Sequence, residues 1–289
     1  MFKTTIVACG TTASAIVATA VAHGQVDGQR RPLEKECHAP SLAAAQKSLR
    51  ASGVAVIDGV MDAPLVAAVR ATEAYQGMPL RVERSPGRVG SSRRGGSERA
   101  TWTPSALGRM HRREETLDAG DRAVFERVEK KIWPLVKDFF DGDATDVFRS
   151  EMQLLNAMPG GMSQAWHKDN HARGLSIIIP LVDFTLDNGA TQLLPGSHER
   201  NWRRVAETGA SVVVARLGSV CAYDSRTYHR GLVNETKEGR PAIILCYDQK
   251  ATPPPGVGTY GSMAHSYAAV LLNIASTYWL QLQGATRGS

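Results

Sequence analysis

Apolar positions change their spacing near residue 146. Before that point the pattern is helical. It predicts a helix around Ser41 to Ala51, a short strand Val54-Ala55-Val56-Ile57 closed by an Asp58-Gly59 turn, and a helix from Ala63 to about Tyr75. Val124, Val128, Ile132, Leu135 and Phe139 recur at helical spacing and predict a longer helix from about Asp121 to Phe140, with Pro134 as its kink point. After Asp146 the pattern turns to strands: Phe148 to Leu155, Leu175 to Leu181, Ser211 to Ala215, Ser219 to Tyr223 and Ala242 to Tyr247. Pro159-Gly160-Gly161, Asn188-Gly189, Pro195-Gly196 and Gly239-Arg240-Pro241 separate them as turns. Helices first and closely spaced strands afterwards predict a mainly β protein, a sandwich or barrel buttressed by N-terminal helices.

The ends of the chain read differently. Residues 1 to 25 have the form of a leader, with Lys3, an uncharged run from Thr4 to Ala22 and the small-x-small triplet Ala20-Val21-Ala22. That run contains no Leu, and seven of its nineteen residues are Thr, Ser or Gly, so a disordered or helical N-terminus is the alternative. A leader sends the chain to a secretory pathway or an organelle; without one it is cytoplasmic. Residues 26 to 36 are polar and basic and read as a linker, 37 to 252 as one domain with its strand-rich core from about 148, and 253 to 289 as a tail. The tail's apolar run, Tyr267 to Leu282, is too short for a membrane span and reads as one packing or dimerisation helix.

Composition narrows the class. With 43% apolar and 21% charged residues in 289, the chain is neither disordered nor a bundle of membrane helices. The net charge of +6 is mostly local, because Arg81 to Glu115 holds nine arginines against four glutamates. At +6 the charge is mild for this length, and no nucleic-acid partner is expected. The stretch from Arg84 to Ala100 is a long, aperiodic Gly/Ser/Arg loop, and the arginine-rich loop from Arg84 to Arg113 is either a solvated surface or, folded over the metal mouth, a grip for an anionic substrate. The four cysteines form no C-x-x-C pair, and Cys221 and Cys246 sit among apolar neighbours as buried free thiols.

The candidate chemistry lies in the strand region. Positions i and i+2 of an extended segment share a face, so His167 and Asp169 can reach one ion together, and His229 lies sixty residues beyond Asp169 beside another strand. Two imidazoles and one carboxylate make the face that holds non-haem Fe(II) with positions left open. A lone H-x-D is common by chance, and hydrogen-bonded core histidines are the alternative. Arg240, which opens a strand, can grip a carboxylate bidentately. Gln153 and Gln164 flank the approach to His167 and are candidates for lining a cofactor pocket. His171 would share a face with His167 and Asp169 but is read as a neighbouring or surface residue, and His198 as part of a structural Pro-Gly-Ser-His turn.

His167-x-Asp169, the stretch from Pro180 to His198 (PLVDFTLDNGATQLLPGSH), Tyr228-His229-Arg230-Gly231-Leu232 and Arg240-Pro241 strongly resemble the phytanoyl-CoA dioxygenase family. The likeness spans roughly residues 48 to 250 and is specific from about Gln153 to Asp248. It implies a double-stranded β-helix, a cupin-like jelly-roll, and an oxygenase using Fe(II), 2-oxoglutarate and O2, with ascorbate in support. By the same resemblance His167, Asp169 and His229 are the iron ligands and Arg240 binds the distal carboxylate of 2-oxoglutarate. Halogenating relatives have a small residue in place of the metal carboxylate, so Asp169 points to oxygenation. Lysine serves the Arg240 role in prolyl hydroxylases, so Arg240 also favours this branch. The expected reaction hydroxylates a C–H bond of a small-molecule or acyl substrate, acyl-CoA-like or otherwise anionic, with release of succinate and CO2. Desaturation, cyclisation or epimerisation at the same centre, and a non-catalytic metal-binding jelly-roll, are the alternatives. Oligomeric state is left open. Asn234-Glu235-Thr236 is a glycosylation sequon close to His229, and we expect Asn234 to be unmodified.

Overall fold

A computed structural model describes residues 30–78, 109–113, 117–159, 163–164, 166–199 and 209–254. The leader, Cys9, the Arg84 to Ala100 loop and the Tyr267 to Leu282 run lie outside the described residues. Among the described residues ten strands form two sheets. The larger sheet contains β1 (His38–Ala39), β2 (Val54–Ile57), β3 (Arg109–Arg113), β4 (Val147–Ala157), β5 (Gly174–Pro180), β8 (Val220–Asp224) and β10 (Arg240–Gln249), in the order β1-β2-β8-β5-β10-β4-β3. The smaller contains β6 (Thr191–Leu193), β7 (Ser211–Val212) and β9 (His229–Gly231), in the order β7-β6-β9.

Alternation along the strands explains the layering. Ala55 and Ile57 of β2, Leu175, Ile177 and Ile179 of β5, and Ile243, Leu245 and Tyr247 of β10 face a core shared with the helices. Val54, Val56, Ile178, Cys221, Tyr223 and Ala242 face a second core between the two sheets, where Phe184, Leu193 and Val212 meet them. Both faces of the central strands β2, β5, β8 and β10 are therefore covered, and β5 and the middle of β10 read as continuous apolar runs.

The helices are α1 (Leu42–Ser52), α2 (Ala63–Arg70), α3 (Glu73–Gln76) and α4 (Ala119–Phe139). Ser41, Asp62, Thr72 and Asp118 cap them, each accepting a backbone N–H of the first turn. The expected helix from Ala63 to Tyr75 is thus two, broken where Thr72 starts a new one and Asp121 accepts the N–H groups of Glu73 and Ala74 at 3.1 and 2.8 Å. Pro134 lies inside α4, which remains one continuous element. α1 stops at Gly53, whose φ of 74° is left-handed and whose Cβ, if present, would lie 2.5 Å from Nδ1 of His198.

Three expectations are corrected. The larger sheet takes β1, β2 and β3 from before residue 147, so the jelly-roll is built from both halves of the chain. Residues 30 to 33 are docked and are no linker: Leu33 donates to the Val212 carbonyl at 3.0 Å and the Val212 amide to that of Arg31 at 2.7 Å, with Leu33 buried. The arginine-rich loop is not loop throughout, because Arg109–Arg113 pairs with β4 as an edge strand.

Candidate active site

His167 and His229 meet through an antiparallel bridge in which each backbone N–H donates to the other's carbonyl, at 3.0 and 2.9 Å. His229 belongs to β9 of the smaller sheet. Asp169 is tied to the loop after β8, where the Ser225 carbonyl accepts its N–H at 3.0 Å. One ligand atom from each of His167, Asp169 and His229 lies within 4.8 Å of the others, and this is the metal-competent cluster found among the described residues. Nε2 of His229 is 3.3 Å and Nε2 of His167 3.9 Å from Oδ1 of Asp169. Lys168, between them, turns the other way and sets Nζ 4.6 Å over the Tyr228 ring, as alternation requires.

Neighbouring groups decide which atoms face the ion. Nδ1 of His229 is 3.1 Å from the Thr227 carbonyl, which can only accept, so the ring proton sits on Nδ1 and Nε2 keeps its lone pair. Oδ2 of Asp169 accepts from Ser176 Oγ at 2.6 Å and from Tyr223 OH at 3.0 Å, leaving Oδ1 for a metal. Burial by itself would raise the Asp169 pKa, but without a metal the positive charge that His229 and His167 carry when protonated, with the Ser176 hydroxyl, outweighs it and holds the carboxyl below the usual range. Burial and the adjacent Asp169 push the Tyr223 phenol well up, so it stays a donor. Nitrogen and carboxylate donors so placed suit Fe(II).

Arg240 is the first residue of β10 and only 2% exposed, with its guanidinium 4.3 Å from the Phe184 ring centre. It shares the inner face with Ala242. A guanidinium presents its N–H groups along the edge of its own plane, the geometry that binds a carboxylate bidentately.

Gln153 lies on the same inner side, because Met152 and Leu154 face the helices, and it pairs in register with Ile244 and Arg113. Gln164 sits elsewhere in the hydrogen-bond scheme: its side-chain oxygen accepts from the Gly231 amide at 2.9 Å, and its own N–H donates to the Gly231 carbonyl at 2.8 Å. It therefore laces the metal-binding loop to β9. His171 is exposed and outside the metal cluster. His198 is buried against Gly53. Asn234 is 1% exposed, and its Nδ2 donates to the carbonyls of Ala157 and Glu238 at 2.8 and 2.7 Å, which engages the atom a glycan would need. Cys37, Cys221 and Cys246 are buried free thiols. No helix among the described residues is long and apolar enough to cross a membrane.

A double-stranded β-helix with a His-Asp-His face at one end and a buried arginine on its inner wall defines the Fe(II)/2-oxoglutarate oxygenase class. The pattern of the Phytanoyl-CoA dioxygenase (PhyH) family matches residues 49–242, and the chain belongs to that family. Dioxygenase trt7 of Aspergillus terreus is 27% identical over 124 residues, covering 38% of this chain and 43% of its own length, so the likeness spans less than half of that relative. AviO1 from Streptomyces viridochromogenes Tue57 superposes with a TM-score of 0.53 at 24% identity, over 74% of this chain and 97% of its own. The epimerase SnoN, solved with Fe3+, alpha ketoglutarate and nogalamycin RO, gives a TM-score of 0.54 at 19% identity, over 75% and 91% of the two chains. At these identities the superpositions show the shared fold.

Proposed function

We propose that the protein is an Fe(II)- and 2-oxoglutarate-dependent dioxygenase that hydroxylates a C–H bond of a small-molecule or acyl substrate, releasing succinate and CO2. The convergence of His167, Asp169 and His229 within 4.8 Å carries this reading. Iron with 2-oxoglutarate and O2 supplies the oxidising chemistry when bound. The chain's own residues hold and aim it. His167, Asp169 and His229 grip the ion, Ser176 and Tyr223 turn Asp169 so that one oxygen faces it, and the Thr227 carbonyl fixes the His229 tautomer. Arg240 anchors the distal carboxylate of 2-oxoglutarate. The arginine excess between Arg81 and Glu115 supports an anionic substrate, an acyl-CoA or another acidic metabolite. The N-terminal pattern supports delivery to a secretory pathway or organelle.

Incubation with Fe(II), ascorbate, 2-oxoglutarate and a panel of candidate substrates, read by mass spectrometry, tests the reading. Substrate-dependent succinate together with a gain of one oxygen supports hydroxylation. Loss of two hydrogens identifies desaturation or ring closure, and unchanged mass with inverted stereochemistry identifies epimerisation. Metal binding without any succinate, alone or with substrate, replaces the proposal with a non-catalytic jelly-roll.

A further inference from the structure

Asp248, the last but one residue of β10, is 1% exposed and receives its hydrogen bonds from neutral donors. Ser150 Oγ donates to Oδ2, and Asn170 Nδ2 donates to Oδ1 at 2.7 Å. A carboxylate in such surroundings is costly, and burial raises its pKa despite both bonds. The metal-binding residues do not touch it. Three local departures from regular structure nevertheless accommodate it.

The first is Gly174, its register partner on β5, where a Cβ would lie 2.3 Å from Oδ1 and 2.8 Å from Ser225 Oγ. Any other residue there would displace the carboxylate. The second is a bulge in β4: Cys246 pairs with Glu151 and Tyr247 with Arg149, so Ser150 is the extra residue. In an unbroken ladder Ser150 would share the helix-facing side with Met152 and Leu154; the bulge re-aims its hydroxyl at Asp248. The third is Asn170, the residue after Asp169. Besides bonding Asp248, its amide donates to the Thr252 carbonyl at 3.0 Å and its oxygen accepts from the Ala172 N–H at 3.0 Å. The loop that carries His167 and Asp169 is thereby fastened just beyond its second ligand.

We propose that Asp248 is a positioning residue for the metal centre, fixing the His167 to Asp169 segment to β10 through Asn170. The assignment rests on the metal-site reading above. It also explains why one strand serves both halves of the site. Arg240 and Asp248 are eight residues apart on the same face of β10, roughly 26 Å at about 3.3 Å per residue. The strand is a ruler with the 2-oxoglutarate anchor at one end and the fastening of the metal loop at the other.

Co(II) titration of the full chain, followed by visible absorption, tests this in Asp248→Asn, Asp248→Ala, Asn170→Ala and Tyr247→Phe. Tyr247 is the control: it neighbours Asp248, but its hydroxyl bonds Glu129 on the helix side, at 2.9 Å. Asp248→Ala and Asn170→Ala are expected to weaken Co(II) tenfold or more and to shift its ligand-field bands. Asp248→Asn should do less, because its amide oxygen still accepts one of the two donors. Tyr247→Phe should lower the melting temperature and leave Co(II) affinity and spectrum unchanged. If Asp248→Ala does not fold, Asn170→Ala decides, since it leaves the Ser150 bond in place. Wild-type affinity and spectrum in both Asn170→Ala and Asp248→Asn would overturn the assignment. A wild-type chain that binds no Co(II) would instead overturn the metal-site reading beneath it.

Discussion

Tyr223 donates its hydroxyl to Oδ2 of Asp169 at 3.0 Å while standing 3.2 Å from Nε2 of His229. A phenol has one proton to donate, and with Nε2 committed to a metal that hydrogen bond goes to the carboxylate. Tyr223 on β8 and Ser176 on β5 thus make Asp169 a one-oxygen ligand from the side of the larger sheet. Tyr223→Phe and Ser176→Ala are each expected to weaken metal binding by roughly tenfold or more, since a hydrogen bond to a charged group contributes about 1.5 to 3 kcal/mol. Calorimetric titration with Mn(II) checks this; unchanged affinity in both would show that the carboxylate needs no aiming.

Asp169→Ala should abolish metal binding and turnover, because two neutral imidazoles remain for a dication. His229→Ala should be equally inactive. His171→Ala should retain substantial activity, in keeping with its exposed place outside the cluster. Succinate production measured across the three variants separates them, and loss in His171→Ala equal to that in His229→Ala would mean that the ligand set is wrong.

Arg240→Ala is expected to weaken 2-oxoglutarate by roughly tenfold to 150-fold, from about 1.5 to 3 kcal/mol for a charge-assisted pair, and to affect metal affinity less. Arg240→Lys should recover part of the loss, since an ammonium is a point charge where a planar fork is wanted. The apparent affinity for 2-oxoglutarate, with melting temperature as the folding control, is the measurement.

Cys37, Cys221 and Cys246 are buried, and burial pushes all three thiols up, which starves them of thiolate. In native protein none of the three should react with Ellman's reagent on the minute timescale, and all should react after denaturation. Rapid native labelling of any of them, located by peptide mapping, would contradict the packing.

β5 and the middle of β10 were legible because both of their faces are apolar, and the four key residues because the chain resembles a known family around them. Other parts were not. β6 and β9 are three residues each, and His229-Arg230-Gly231 has too little apolar character to announce a strand, although it carries a metal ligand. β3 consists of Arg-Met-His-Arg-Arg, which reads as the end of a basic loop; only pairing with β4 makes it a strand. The partners of Asp169 left a fainter trace: Ser176 is a polar residue inside the apolar run Leu175 to Leu181, at a position that alternation sends to the inner face. The place of Gln164 in the sequence points to a cofactor contact, and its bond to Gly231 cannot be read from spacing.

A mature chain beginning near His23, with Asn234 unmodified, is expected in the native host. The buried amide of Asn234 is already bonded to two carbonyls, so a glycan would require local unfolding. N-terminal sequencing and intact mass check both halves, and a start at Met1 or Phe2 would remove the leader.

The bridge between His167 and His229 has a mechanical consequence. Asp169 is bonded to β5 and β8 in one layer, while His229 rides on β9 in the other. An ion held by all three would rivet the two layers together beside the core in which Phe184, Leu193 and Val212 meet the larger sheet. Its binding energy is therefore spent on a seam. Chelation should raise amide exchange first along β9 and the strip from His167 to Asn170, well before β5 or β10, and added metal should raise the melting temperature in proportion to the logarithm of its concentration above Kd.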